Sequence, residues 1–191
     1  MNANETQHEW ADLQRGYGFY RVGEQYVDPD TNEVLGYEAR QIGLGRVADH
    51  DEDMLTLRVT RSSEDLRIDD RLFSTEDRRV RSVLYPSAPD TKIEGKVIRF
   101  FDRISSVARN DVVVVNKGLR DGLKEGNVLD VFGQGEAVRD RQRGDMVRLP
   151  RERTGSMVIF RVFDKVSYGL IMESTRPIYM NDIAESPAGS Y

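Results

Sequence analysis

The same residue pattern occurs twice in this chain, as FYRVGEQYVDPDTNEVL over residues 19–35 and as VFGQGEAVRDRQRGDMV over residues 131–147. Both stretches place an aromatic residue, a Gly-Glu pair and an aspartate at the same spacing, and the two stretches lie 112 residues apart. Self-similarity at a fixed period is typical of repeated supersecondary units. The chain is therefore predicted to contain two related modules.

The similarity continues downstream of these stretches. Residues 68–70 match residues 180–182, and residues 55–59 match residues 168–172 after a one-residue gap near Glu64. The gap is introduced because it keeps the apolar positions of the two copies in phase. Two small repeated β-units are a different object from one enzyme built around a cleft.

Bulk composition narrows the class of protein. The chain has 191 residues, 38% of them hydrophobic and 32% charged, a net charge of −5 and no cysteine. The negative charge disfavours non-specific nucleic-acid binding, and the absence of cysteine excludes disulfides and thiolate zinc sites. No apolar stretch reaches the roughly 18 residues that a membrane-spanning helix needs. The first residues, MNANE, lack the basic and apolar parts of a secretory signal, so an exported parent would imply that this chain is a fragment.

The local patterns predict a mainly β fold of two related small antiparallel modules, barrel-like or sandwich-like, in tandem. In residues 54–60, apolar and polar residues alternate, which is the period of a strand with one wet face. Turn-forming residues at 28–32 join two strands as a hairpin, and no helical period extends beyond about two turns. The predicted strands of the first module are Gly18–Arg21, Gln25–Val27, Val34–Gln41, Gly43–Val47, Met54–Thr60 and Leu66–Phe73.

The second module begins after a charged and Pro-rich connector. Val112–Val115 is a short continuous apolar run, which predicts a strand buried on both faces. The predicted strands of the second module are Ile93–Phe101, Asp111–Lys117, Val128–Phe132, a hairpin at Glu136–Arg148, Gly155–Asp164, Ser167–Glu173 and Pro177–Ile183. The predicted domain organisation is a polar flank at 1–16, a first module at 17–73, a linker at 74–92, a second module at 93–184 and a tail at 185–191.

The repeat has an asymmetry at its start. Subtracting 112 from Val112–Val115 leads to residue 3 or earlier, so the first module lacks its own copy of that buried strand. We expect a first module that is truncated at its N-terminus. Either the parent protein continues upstream, or the module has an open sheet edge, which would invite pairing with another chain. Pairing of Asn2–Trp10 with its sheet would contradict this expectation.

No residue pattern nominates catalytic chemistry, a cofactor or a metal. Asp28, Asp30 and Asn32 begin like a calcium loop, but Glu33 and Ala39 replace the glycine and the glutamate that such a loop requires, so the segment is interpreted as a hairpin turn. The two histidines have no serine elbow or second metal-ligating histidine nearby. We therefore expect a protein that is not an enzyme and holds no cofactor.

The equivalent hairpins carry opposite charge. Residues 27–41 sum to −3 and residues 139–153 sum to +3. They are interpreted in three ways: the hairpins dock on each other within or between chains, the basic hairpin binds an anionic ligand, or both are solvated turns. The candidate binding residues are the arginines of the basic hairpin and one exposed aromatic residue in the polar flank: Arg139, Arg141, Arg143, Arg151, Arg153 and Trp10.

Three strings resemble a known family: YVDP followed by VLGYEA within residues 26–39, VVVVNKG followed by DGL within residues 112–123, and FRVFDKVSY at residues 160–168. They are similar to the region that follows the LysM domain in bacterial LysM (lysin-motif) peptidoglycan-binding proteins, over about residues 17–183. The resemblance implies an exported, periplasmic protein of the cell envelope whose partner is peptidoglycan or another envelope protein. The LysM itself, which carries the family's glycan-binding residues, has no counterpart here, so no site residue is transferred.

The expected function is that of a non-catalytic scaffold or binding region of such a peptidoglycan-associated protein. One alternative is an enzyme acting on cell-wall glycan or peptide, which would need convergent carboxylates at bond-cleaving separation. Another is a small barrel that binds oligosaccharides, for which aromatic residues on one sheet face would be the discriminating feature.

Overall fold

The structure is a computed structural model and describes residues 16–51, 54–75, 83–101, 105–135, 137–139, 145–148 and 150–188. It is mainly β, as predicted, and its one described helical segment is a short 3-10 turn at Leu119–Asp121. The part of the chain that is described contains no helix long and apolar enough to cross a membrane. Two compact units divide the chain: residues 1–25 with 37–80, and residues 26–36 with 81–191.

The first unit is built on one antiparallel sheet, and two strands of this sheet extend into residues 26–36, which belong to the second unit. The strands of this sheet are β1 (Gly16–Val27), β2 (Val34–Asp51), β3 (Met54–Ser62) and β4 (Arg71–Ser74). The order across the sheet is β3-β2-β1-β4, so β3 and β4 are its edges among the described residues. The predicted strand Leu66–Phe73 begins too early, because residues 66–70 lie outside any strand and β4 begins at Arg71.

A closed antiparallel barrel of six strands dominates the second unit, in the order β11-β12-β7-β5-β14-β8. The strands of this unit are β5 (Glu94–Phe100), β6 (Ser106–Val107), β7 (Val112–Val115), β8 (Val128–Phe132), β9 (Ala137–Arg139), β10 (Met146–Arg148), β11 (Arg153–Val162), β12 (Ser167–Ser174), β13 (Ile178–Tyr179) and β14 (Ile183–Glu185). The predicted strand Pro177–Ile183 is wrong as one element, because a turn at 180–182 separates β13 from β14.

Branched apolar side chains fill the barrel interior. Val113, Val115, Ile159 and Ile171 are completely buried there and belong to one cluster with residues of every barrel strand. Val114 points to the other side of β7 and is equally buried, against Tyr26 and its neighbours in a second cluster. The prediction that Val112–Val115 is buried on both faces is thus confirmed for the last three residues of the run.

The two sheets are copies of one another in topology. Adding 112 to the residues of β3, β2, β1 and β4 leads to β12, β11, β8 and β14, and these four strands are neighbours in the same order in the barrel. The register also agrees. Phe19 pairs with Leu72 in the first unit, as Val131 pairs with Ala184 in the second. The prediction of two related antiparallel modules is therefore confirmed.

The gap near Glu64 is wrong, because an offset of 112 holds throughout. Val47 pairs with Leu57, and Ile159 pairs with Gly169. Both copies have register irregularities at the same two places along this strand pair. At each of these bulges the inward and outward alternation of side chains shifts, so no gap in the alignment is needed. The gapped alignment matched the inward-facing residues of β3 with outward-facing residues of β12. This happened because outward-facing residues of β12 such as Tyr168 are apolar as well. A slip of one residue exchanges the two faces of a strand.

The turn before the last strand of each copy is also repeated. The Asp70 carboxylate accepts a hydrogen bond from the Arg67 amide at 2.6 Å, and the Asp182 carboxylate accepts one from the Tyr179 amide at 2.9 Å. In both turns the aspartate amide donates to the carbonyl of the residue three positions earlier, at 3.1 Å. Asn181 adopts a φ of 67° in this turn, a left-handed conformation that asparagine tolerates.

Residues 26–36 pack with the second unit, whereas the sequence assigned them to the first module. Tyr26 and Leu35 are buried against Ile98, Val114 and Val166 of the barrel. The sequence around Tyr26 and Leu35 does not indicate that they pack on the barrel, because the apolar outer face of the barrel forms only when the barrel strands come together. The other predicted domain limits stay predictions, and Asn2–Trp10 lies outside the described residues.

Candidate functional site

The predicted basic site is only partly within the described residues. Trp10, Arg141 and Arg143 lie outside them, and for Arg139 only the backbone, in β9, is described. The proposed docking of the acidic hairpin on the basic one therefore stays a prediction at these positions.

Two of the predicted arginines are bound to carboxylates of their own barrel. The Arg153 Nε donates to Asp130 Oδ1 at 2.8 Å, and its Nη1 donates to Glu173 at 3.2 Å. The hydrogen bond to Asp130 raises the pKa of the Arg153 guanidinium. Arg151 donates to Glu94 at 3.0 Å. Some donors of Arg151 and Arg153 are thus engaged by carboxylates of the barrel, and binding of an anionic ligand by these exposed arginines stays a prediction.

The tip of the acidic hairpin contacts barrel residues outside the basic hairpin, and Arg151 of the basic hairpin lines the same pocket as Asp28 and Asp30. The Asp28 carboxylate accepts hydrogen bonds from the Asp30 and Thr31 amides at 2.9 and 3.0 Å and from the Asn116 side chain at 2.8 Å. Burial raises the pKa of Asp28, but these donors outweigh it and hold the pKa below its ordinary value. The Asp28 carboxylate thus accepts hydrogen bonds from N–H donors. This is the pattern of a hairpin turn, which the sequence predicted in place of a calcium loop.

Glu33 anchors the other side of the same tip. Its carboxylate accepts both guanidinium donors of Arg120, at 2.8 and 2.9 Å, and the Lys165 ammonium at 2.8 Å. Asp30 pairs with Lys96 nearby. The acidic charge of this segment therefore fixes it on the second unit, and bidentate arginine pairing gives the contact a defined geometry.

We expect Glu33 to titrate far below an ordinary glutamate. The hydrogen bond from Arg120, followed by that from Lys165, lowers the pKa of Glu33 from 4.5 to about 2. Since the folded-state pKa is depressed, this contribution to docking is complete above pH 4.5 and is lost as the pH falls towards about 2. Carboxyl-carbon NMR shifts during an acid titration measure the pKa, and amide exchange at residues 28–33 measures the docking.

The Glu33→Gln variant is the control for this titration. It should show faster amide exchange in the hairpin tip at neutral pH and no further increase from this position between pH 4.5 and 2. A midpoint for Glu33 near 4.5 in the wild-type chain would contradict the expectation.

A groove lies at the rim of the barrel in the second unit, and we call it the rim groove. Its volume is about 600 Å³. The loop after β8, the approach to β11 and the segment between β12 and β14 form its walls. They contribute Gly133, Gln134, Gly135, Pro150, Glu152, Thr154, Arg176, Pro177, Tyr179, Met180 and Asp182.

Apolar and polar groups are interspersed in the rim groove. Tyr179 is 52% exposed and Met180 is 42% exposed, so both offer apolar surface to a ligand. The Gln134 side-chain amide donates to the Asn181 carbonyl at 2.9 Å, which holds the loop after β8 against the opposite wall. Glu152 and Arg176 form an ion pair at the outer part of the groove.

The two carboxylates of the rim groove differ in burial: Asp182 is buried and Glu152 is exposed. Burial raises the pKa of Asp182, while hydrogen bonds from the Tyr179 and Gln134 amides oppose that rise. Asp182 repeats the turn that Asp70 makes in the first unit, so its geometry follows from the repeat. Glu152 is exposed and paired with Arg176. A turn and an ion pair are therefore the contacts that the structure gives these two carboxylates.

The described residues contain no group of three or more His, Asp or Glu side chains arranged to hold a metal ion. The rim groove was missed by the sequence analysis because its walls come from three separate segments. Gly135, in the loop after β8, adopts a φ of 70°. No periodicity of the sequence connects this loop with Tyr179 or Pro150.

Fold and groove together define a mainly β protein in which a closed six-stranded antiparallel barrel carries an open rim groove. No protein-family model and no curated protein matches the chain.

Proposed function

We propose that this chain is a non-catalytic binding region of a peptidoglycan-associated protein of the bacterial envelope, and that the rim groove is its contact with the cell wall. The observation that carries the proposal is the exposure of Tyr179 and Met180 in a groove that also offers amide and carboxylate groups. Sugar rings pack their C–H faces on such apolar side chains, and their hydroxyl and acetamido groups need polar partners. The resemblance to the region after LysM supports the same ligand class.

The filled interior of the barrel favours an external ligand. Leu129, Met157 and Ile171 are completely buried there and pack with the other interior residues in one cluster. A ligand inside the barrel would have to displace this core. The rim groove needs no such rearrangement, because its walls are open to solvent.

The Tyr179→Ala variant is expected to bind purified sacculi with an apparent Kd about five to thirty times higher than the wild-type chain. Loss of an aromatic anchor from a binding surface typically costs about 1–2 kcal/mol. Cosedimentation of the full chain with sacculi over a range of concentrations measures this change.

Tyr37→Ala is the matched control, since Tyr37 is 55% exposed and lies in the first unit. It should leave the Kd unchanged. Equal retention of the wild-type chain and the Tyr179→Ala variant would contradict the rim groove as the contact. Release of soluble muropeptides from the sacculi would instead identify an enzyme acting on the wall.

One observation favours the oligosaccharide-binding barrel as a second candidate. Phe101 and Phe163 lie with their ring centroids 5.2 Å from that of Tyr168, and Phe160 lies at 6.3 Å. Phe101 and Phe163 remain about two-fifths exposed. Aromatic residues on one barrel face are the feature expected of this class. Loss of sacculus binding in Phe163→Ala, with normal binding in Tyr179→Ala, would transfer the contact to this face.

A further inference from the structure

The two copies of the repeated sheet differ in one respect that bears on partners. In the second unit, β7 pairs with β12 and β5 pairs with β14, and these two added strands also pair with each other to close the barrel. In the first unit, the equivalent edges β3 and β4 have no further strand among the described residues. Among the residues that the structure describes, no strand of the first unit takes the position that β5 and β7 occupy in the second.

Side-chain burial shows what the open position leaves uncovered. Ile171 in β12 is completely buried, whereas its equivalent Val59 in β3 is 44% exposed. Ala184 in β14 is completely buried, whereas its equivalent Leu72 in β4 is also 44% exposed. Both edges of the first sheet therefore carry apolar side chains at positions that belong to a barrel interior.

We propose that the first sheet is a docking site for an antiparallel pair of β-strands from another polypeptide, which closes it as β5 and β7 close the second. Exposed edges with unpaired amides and carbonyls bind extended chains through backbone hydrogen bonds, and alternate side chains give the specificity. The docked strands bury Val59 and Leu72 and convert the four-stranded sheet into a six-stranded barrel.

The repeat fixes the register of the docked strands. Val112–Val115 lies opposite Leu170–Ser167 in the second barrel, so one incoming strand lies opposite residues 58–55 of β3. β14 pairs its residues 183–185 with residues 96–94 of β5, so the other incoming strand lies opposite residues 71–73 of β4.

The interior residues of β5 and β7 indicate the chemistry of the partner. Val97, Val113 and Val115 are completely buried in the barrel, and Gly95 is buried at the point where β5 crosses Asn116 and Lys117. The incoming strands accordingly carry small or β-branched apolar residues at alternate positions. A second copy of this chain is a poor donor, because its own β5 and β7 are already paired on both sides within its barrel.

A peptide with the sequence of residues 93–117, which contains β5 and β7, is the probe for this docking site. Added to the full chain, it should slow amide exchange at residues 55–58 and 71–73 at least about tenfold while leaving exchange in the second unit unchanged. Val59→Asp should abolish the effect, because it places a charge in the new interior.

Val22→Asp is the matched control. Val22 is 53% exposed, lies on the central strand β1 and is an odd number of residues from Phe19, so it faces away from the interior side of the sheet. This variant should retain the full protection. A peptide that protects neither edge, or protects them equally in Val59→Asp, would overturn the proposal.

A grafted variant tests the same site without a free peptide, because isolated apolar strands aggregate. Residues 93–127 replace residues 1–15, which restores the connection that precedes β8 in the second unit. Edge protection in the graft, and its loss when Val113 and Val115 of the grafted segment are changed to aspartate, supports the proposal. Edges that are already protected in the dilute wild-type chain, or that become protected only as its concentration rises, would overturn it in favour of residues 1–15 or a second copy.

Discussion

The Ile171→Ala variant is expected to lose about 2–5 kcal/mol of unfolding free energy in the second unit, because it removes three carbons from a completely buried position. Ile171 lies on β12 between β11 and β7, and it belongs to the cluster that fills the closed barrel. Neighbours on both sides hold the barrel wall in place, so the wall cannot collapse fully into the space left by the side chain.

Val59→Ala at the equivalent position of the first unit is the matched comparison. Because Val59 is 44% exposed, its truncation should cost under about 1 kcal/mol. Urea unfolding followed through the amide signals of each unit separately measures both values. Similar losses in the two variants would mean that Val59 is as buried in solution as Ile171, which would contradict the open sheet.

The second large effect is expected from Gly155→Ala at the start of the barrel strand β11. A Cβ atom at Gly155 would lie 2.2 Å from the Glu173 carbonyl oxygen, a backbone atom that no rotamer change can remove. The strands must therefore separate locally, and overpacking of this kind costs about 2–3 kcal/mol or more. A fall in Tm on the order of 10 °C for the second unit is the expected calorimetric result.

Gly43→Ala makes the same change at the repeated position. There the new Cβ would lie 3.0 Å from the Arg61 carbonyl oxygen, which is the equivalent of Glu173. A shift of a few tenths of an ångström relieves this contact, so the cost should be about 1 kcal/mol. If the two glycine variants destabilised their units equally, the tighter approach of β11 and β12 at Gly155 would not be the cause.

The sequence predicted the strands well where the determining signal is local. Alternation over residues 54–60 and the turn residues at 28–32 identified β3 and the β1–β2 hairpin, and the structure confirms both. Local signals failed at the ends of the modules. The segments 66–73 and 177–183 were predicted as single strands, because an apolar residue in a tight turn resembles one in a strand.

The candidate site was much less accessible to sequence reasoning. Arginine clustering indicated Arg151 and Arg153, but only the fold shows that Asp130, Glu173 and Glu94 already bind them. Sequence reasoning could not separate the three interpretations of the oppositely charged hairpins, and the contacts observed for the acidic segment are with Arg120, Lys165, Lys96 and Asn116. Charge at one position of a sequence does not specify where its partner lies.

The sequence by itself determined that this protein is built from a duplicated antiparallel sheet, because strand period, turn chemistry and a 112-residue repeat are all local properties of the chain. Tertiary structure alone decided that the second copy closes into a barrel, that residues 26–36 pack on that barrel, and that three loops form a groove. Closure depends on whether two further strands reach the edges of a sheet, and that is a matter of long-range pairing which no local pattern encodes.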